Sequence, residues 1–208
     1  MTPEEDKKFS DKPIQTNKPK KSHKDLMGDF AEDITELFMT QVEWEKKEKA
    51  IPFDVISHKS QVNKLIKSLP FELTAAQKKA IEDVLGNFKK QTPMNRLLEG
   101  DVGSGKTVVA AIAAYVTFLN GYQTAFMAPT EILANQHFAT VKSILEPYGV
   151  KLELFTSSEK RRAKDTGTFD IAVGTHALID SRVKFKNLGF VIIDEQQRFG
   201  VEQRATLR

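Results

Sequence analysis

Residues 100–107 read Gly-Asp-Val-Gly-Ser-Gly-Lys-Thr, and no other stretch constrains the fold as tightly. Gly100, Gly105, Lys106 and Thr107 satisfy the spacing G-x-x-x-x-G-K-[ST]. The run before them, Met94 to Glu99, is short and carries Met94, Leu97 and Leu98, and the run after, Val108 to Leu119, is apolar and Ala-rich. Strand, glycine loop, helix is the order that phosphate binding requires. Glycines such as Gly103 and Gly105, with Ser104 between them, let backbone N–H groups curl around phosphate oxygens, and the helix N-terminus adds its positive dipole end. Lys106 would reach the β- and γ-phosphates, and the Thr107 hydroxyl would hold Mg²⁺. The plainer alternative is a glycine turn that only caps a helix.

A chain of 208 residues with 40% apolar content has room for one ordinary domain and an appendage. It contains no run of about 18 apolar residues, so no transmembrane helix is expected. The N-terminal MTPEEDKKFSDK has charges but no apolar core of a secretory signal. The expectation is a cytoplasmic monomer with no membrane contact. The absence of cysteine excludes a disulfide scaffold and a thiolate metal site. His23, His58, His137 and His176 are scattered without ligand-like spacing. A net charge of +3 is compatible with a nucleic-acid partner without arguing for one.

Residues 1–27 are polar and lysine-rich with no apolar period, which reads as a disordered basic arm. From Asp29 to about Lys49, Phe30, Ile34, Leu37, Phe38 and Val42 recur at helical spacing, predicting an amphipathic helix. A second short helix is expected over His58–Ser68, so 28–69 reads as a helical linker and 70–208 as the main domain. Beyond Pro70, helices and strands alternate. Thr74 and Gln77 have the form of a capping box opening a helix to about Lys90. Strands are expected at Arg96–Glu99, Gln123–Ala128, Lys151–Phe155, Asp170–Val173 and Gly189–Asp194, with helices over Gly105–Asn120 and Thr130–Glu146. That alternation implies an α/β domain, a parallel sheet covered by helices on both faces.

A phosphate cradle alone hydrolyses nothing. The apolar run Val191-Ile192-Ile193 ends in Asp194-Glu195. Asp194 could hold Mg²⁺ beside Lys106, and Glu195 could take the proton of the attacking water; exposed acids after a strand are the common alternative. Upstream, the Gln77 side-chain amide can donate and accept at once, which suits the edge of adenine, although a capping role explains it equally. Asn-Lys-x-Asp, the guanine-reading pattern, is absent from the chain, favouring ATP over GTP. Two βα turns, Pro129-Thr130 and Gly174-Thr175-His176, offer hydroxyls and N–H groups that could track a nucleic-acid backbone, or could be ordinary turns.

In this order the motifs resemble those of superfamily 2 helicases, and within them RecG-like DNA helicases. The strings that carry the likeness are LPFELTAAQ (69–77), PMNRLLEGDVGSGKT (93–107), APTEILANQH (128–137), VGTHALI (173–179) and FKNLGFVIIDEQQRFGVEQR (185–204). Transcription-repair coupling factors share the layout less closely. The resemblance implies a RecA-like ATP-binding domain that uses ATP and Mg²⁺ to move on branched or forked DNA in repair and recombination. It implies nucleotide contacts from Gln77, Gly100, Gly103, Ser104, Gly105, Lys106 and Thr107. It also implies catalysis by Asp194 and Glu195, and a DNA track along Pro129, Thr130, Gly174, Thr175 and His176. Gln197 stands where the family has histidine; it would still reach the γ-phosphate region but cannot titrate. Members carry a wedge domain before this stretch and a second motor lobe after it, so the expectation is a motor lobe truncated before motif III that unwinds nothing alone. A nucleotide-binding interaction module and a small kinase are the alternatives from other classes.

Overall fold

The glycine loop of the computed structural model lies between a strand and a helix, as its flanks require. The structure describes residues 15–17, 34–41, 52–156, 168–179 and 183–194. In chain order the first elements are β1 (Gln15–Asn17), β2 (Ile34–Gln41), α1 (Lys59–Ser68), α2 (Ala75–Phe88), β3 (Asn95–Asp101) and α3 (Lys106–Leu119). There follow β4 (Gln123–Met127), α4 (Glu131–Leu145), a 3-10 turn at Glu146–Tyr148 and β5 (Leu152–Phe155). The last are β6 (Ile171–Gly174), a second 3-10 turn at His176–Ile179 and β7 (Leu188–Asp194).

The strands form one sheet in the order β1-β3-β2-β7-β4-β6-β5. Four of them, β7, β4, β6 and β5, pair in parallel. Connection handedness explains where the helices lie. The crossovers β3-α3-β4 and β4-α4-β5 advance along the sheet in one direction, while β5 to β6 and β6 to β7 step back. Right-handed crossovers therefore put α3 and α4 on one face and the returning connections on the other. The side chains alternate accordingly. Phe126, Ile171, Val173, Phe190 and Ile192 share a core with residues from all four α-helices. Ala125, Met127, Ala172, Val191 and Ile193 pack instead against Phe155, Phe169, Leu178 and Phe185. Helical cover is thus thick on one face. Among the described residues, the other face carries only the second 3-10 turn and loop side chains.

From Val108 to Thr117 every residue of α3 is buried. A helix apolar all round belongs inside, and α3 is enclosed by the sheet beneath and by α1, α2 and α4 around it. Residues just before α1 join the same core: the Phe53 N–H donates to the Phe88 carbonyl at 2.8 Å, and its ring meets those of Phe88 and Tyr122 at 4.9 and 5.3 Å.

Upstream of α1 the structure differs from the sequence expectation. The helix expected over 29–49 is, through its described residues 34–41, the strand β2. Within the arm expected to be disordered, Gln15–Asn17 forms β1, antiparallel to β3. β2 pairs antiparallel with β3 on one side and β7 on the other. β3 and β7 therefore run the same way, and β2 fills the slot between them. An empty slot would leave two rows of backbone N–H and C=O groups unpaired. The apolar positions Ile34, Leu37 and Phe38 have helical spacing, so long-range pairing overrode what the local pattern suggested.

Candidate active site

Because β3 and β7 are parallel, their carboxyl ends lie at the same end of the sheet. The loop leaving β3 and the acid ending β7 therefore open onto one cleft, where α/β sheets hold their ligands. Gly103 and Gly105 have φ of +78° and +81°, a region L side chains avoid. A Cβ on Gly105 would also collide with the Gln77 amide. Glycine is thus required there by the backbone, and a Cβ at Gly105 would in addition push the Gln77 amide off the Ser104 carbonyl.

The Lys106 side chain is turned back onto its own loop. Only 8% of Lys106 is exposed, and its Nζ donates to the Gly100 carbonyl at 2.7 Å, the Asp101 carbonyl at 2.8 Å and Ser104 Oγ at 3.2 Å. Those oxygens shape a cradle for a cation now and, once the ammonium swings out, leave a loop whose N–H groups can meet an anion. Gln77 forms the capping box read from the sequence: its Oε1 accepts from the Thr74 N–H at 2.9 Å, and its N–H donates to Thr74 Oγ1 at 3.2 Å. Its Nε2 then donates to the Ser104 carbonyl at 2.9 Å, which ties the start of α2 to the phosphate loop.

Asp194 ends β7 with 7% of its surface exposed. Its Oδ2 lies 2.6 Å from His137 Nε2, and Nδ1 of the same ring lies 3.5 Å from Thr107 Oγ1. One imidazole on α4 therefore stands between the helix that follows the glycine loop and the acid across the cleft. His137 had no role in the sequence reading beyond its place in the APTEILANQH string. A signal existed: Ala134, Val141 and Leu145 are the buried face of α4, and His137 falls on that stripe. Glu195 and Gln197 lie outside the described residues.

The remaining sequence-predicted residues sit at the carboxyl ends of the neighbouring strands β4 and β6. The Ala128 N–H donates to the Gly174 carbonyl at 2.8 Å, which holds the two turns side by side. Thr130 is exposed and caps α4, its Oγ1 accepting from the Leu133 N–H at 3.3 Å. Pro129 is half-buried and His176 exposed. Gly174 has a packing reason to be glycine, since a Cβ would run into the Phe155 carbonyl. Thr175 is only 2% exposed, and among the described residues its Oγ1 is buried without a hydrogen-bond partner. Thr175→Val, close in shape but without the hydroxyl, is therefore expected to raise stability by about 1 kcal/mol in urea denaturation. A clear loss of stability would mean that the hydroxyl has a partner in solution.

Comparison with known proteins agrees with this geometry. The DEAD/DEAH box helicase model matches residues 74–208, which hold the capping box, the glycine loop and the Asp194-Glu195 pair. The chain belongs to the DEAD/DEAH box helicase family. Among curated proteins it is similar to the ATP-dependent DNA helicases RecG of Aquifex aeolicus (48% identical over 169 residues, 78% of this chain and 21% of that protein) and Bacillus subtilis (52% over 155 residues, 71% and 23%). It is also similar to that of Thermotoga maritima (45% over 185 residues, 83% and 24%). The chain thus spans about a quarter or less of the length of these helicases. The matched stretches reach further toward the N-terminus in some relatives than the helicase-family match does, since 185 matched residues exceed residues 74–208. Among the described residues no helix is long and apolar enough to cross a membrane.

Proposed function

We propose that this chain is the ATP-binding motor lobe of a RecG-like DNA helicase, one that remodels forked and branched DNA in repair and recombination. The reading rests most on one observation: the glycine loop after β3 and Asp194 at the end of β7 face each other at one end of the sheet, with Thr107 and Asp194 both reaching the same side chain. Loop amides from Gly100 to Gly105 grip the phosphates. Lys106 leaves the Gly100 and Asp101 carbonyls for the β- and γ-phosphate oxygens. Thr107 and Asp194 fit Mg²⁺ by their chemistry, a hydroxyl and a carboxylate, hard oxygen donors of the kind that ion takes. When bound, the ion would neutralise charge on the phosphates. Glu195 takes the proton of the attacking water, and Gln197 contacts the γ-phosphate region.

Gln77 reads adenine in this proposal. Its amide already donates once and accepts once within the protein. A primary amide has a second N–H and a second lone pair, so fastening and base reading are compatible. Gln77→Ala should lose about 1 kcal/mol of stability with its cap and about tenfold of its preference for ATP over GTP in competition binding. A variant that loses stability but keeps its preference would leave Gln77 a capping residue only.

Pro129, Thr130, Gly174, Thr175 and His176 form the DNA-facing track. Gly174 and Thr175 contribute by shaping the floor of the track, since both are buried and the Thr175 N–H and C=O are bonded to Phe155 and Leu178. Unwinding belongs to a longer assembly in which a wedge domain and a second lobe act with this one. Arginine fingers from a second lobe are worth about 10³ to 10⁵ in rate for related phosphoryl transfer, so the lobe alone is expected to turn ATP over slowly. Titration calorimetry with ATP tests the reading: Mg²⁺-dependent heat is expected, and its complete absence would sink the proposal. The transcription-repair coupling factor alternative has no observation of its own in its favour.

A further inference from the structure

We infer that His137 is the positioning residue of the magnesium site, an imidazole that orients both of its protein donors; this rests on the ATP-binding reading above. Three contacts place the ring. Nε2 meets Asp194 Oδ2 at 2.6 Å, Nδ1 faces Thr107 Oγ1 at 3.5 Å, and the ring lies over Phe126 with centroids 4.7 Å apart and planes 25° from parallel. Phe126 is buried in β4, so the floor under the imidazole belongs to the rigid sheet. The wall carrying it is α4, pinned through buried Ala134 and the Thr130 cap.

The chemistry follows from what each atom can give. An ionised carboxylate only accepts, so Nε2 carries the proton it donates to Asp194. In the neutral ring Nδ1 then has a lone pair and can accept from the Thr107 hydroxyl. A metal ligand must offer a lone pair to the ion, and its hydroxyl proton must point elsewhere. His137 provides that direction for Thr107. At Asp194 it engages Oδ2 and leaves Oδ1 clear of the ring. The one ring thus contacts a hydroxyl on one side of the cleft and a carboxylate on the other, and orients both so that each can present oxygen to the same ion. A ring that merely filled space on the inner face of α4 would need neither nitrogen placed.

Outer partners of metal ligands typically account for tenfold to hundredfold of metal affinity, which sets the test. Binding of a fluorescent ADP analogue to the full chain is measured in EDTA and in Mg²⁺, and the ratio gives the gain due to the ion. His137→Phe keeps the flat ring over Phe126 without a donor. It is expected to bind nucleotide in EDTA within about twofold of wild type and to lose at least about tenfold of the Mg²⁺ gain. His137→Gln restores an N–H near the position of Nε2 and is expected to recover most of that gain. Mn²⁺ electron paramagnetic resonance, which reads the bound ion directly, should rank the three proteins in the same order. The inference is overturned if His137→Phe keeps the wild-type gain, or if it loses binding equally with and without Mg²⁺, which would make the ring a packing element. Failure of the wild type itself to bind nucleotide would instead overturn the ATP-site reading.

Discussion

Lys106→Ala is expected to weaken ATP binding about a hundredfold while leaving the fold in place. Hydrogen bonds to charged groups are worth about 1.5–3 kcal/mol each, and an ammonium between two phosphates makes at least two. A loss of about 3 kcal/mol is roughly two powers of ten in affinity. The fold should survive because the loop is shaped by Gly103 and Gly105 at positive φ and by the bond from Gln77 to the Ser104 carbonyl. Neither depends on the lysine. Some stability is lost, since the Gly100 and Asp101 carbonyls give up a donor at 2.7 and 2.8 Å. Those carbonyls border the open cleft, where water can replace it. Calorimetric titration beside a thermal melt separates the two effects. An affinity within threefold of wild type would remove Lys106 from the phosphate site.

The second large effect is expected far from the nucleotide. Met39→Ala should destabilise the chain by about 2–5 kcal/mol, as truncating a fully buried methionine does. Met39 is 0% exposed on the strand that separates β3 from β7, opposite Arg96 on one side and Ile192 on the other. Were residues 29–49 a helix lying on the surface, the same substitution would fall within about 0.5 kcal/mol of neutral. A urea midpoint that does not move would therefore reject β2 as a central strand. Removing residues 1–41 should be worse, because it opens two facing strand edges to other chains; sedimentation would detect the aggregates.

What the sequence made legible was whatever local chemistry determines. Thr74 and Gln77 announced their capping box, and both of its bonds are present. The glycine loop lies at its strand-helix junction, and the boundaries of α3, β4, α4 and β7 fall within a few residues of expectation. β2 was illegible because Ile34, Leu37 and Phe38 recur at helical spacing, while a strand in the middle of a sheet need not show an alternating pattern of its own. The deciding partners, residues 95–101 and 190–194, lie far away in the chain. At the site, the phosphate-loop residues and Asp194 could be named from their motifs. For His137 the sequence offered only its place on the buried stripe of α4, because what distinguishes it is a position between two motifs that meet only after folding.

The place of β2 also bears on how the chain comes off the ribosome. Leu37 pairs with Asp194, so the segment takes its final neighbour from one made about 150 residues later. Synthesis at about 5–20 residues per second leaves that neighbour missing for several seconds or longer. During that interval the nascent segment can dock against β3 alone, with its other edge open to proteases and chaperones. Chains arrested before residue 188 should accordingly be cleaved near residues 34–41 far faster than released ones, and late closure of so distant a pairing should make refolding slow for a domain of this size.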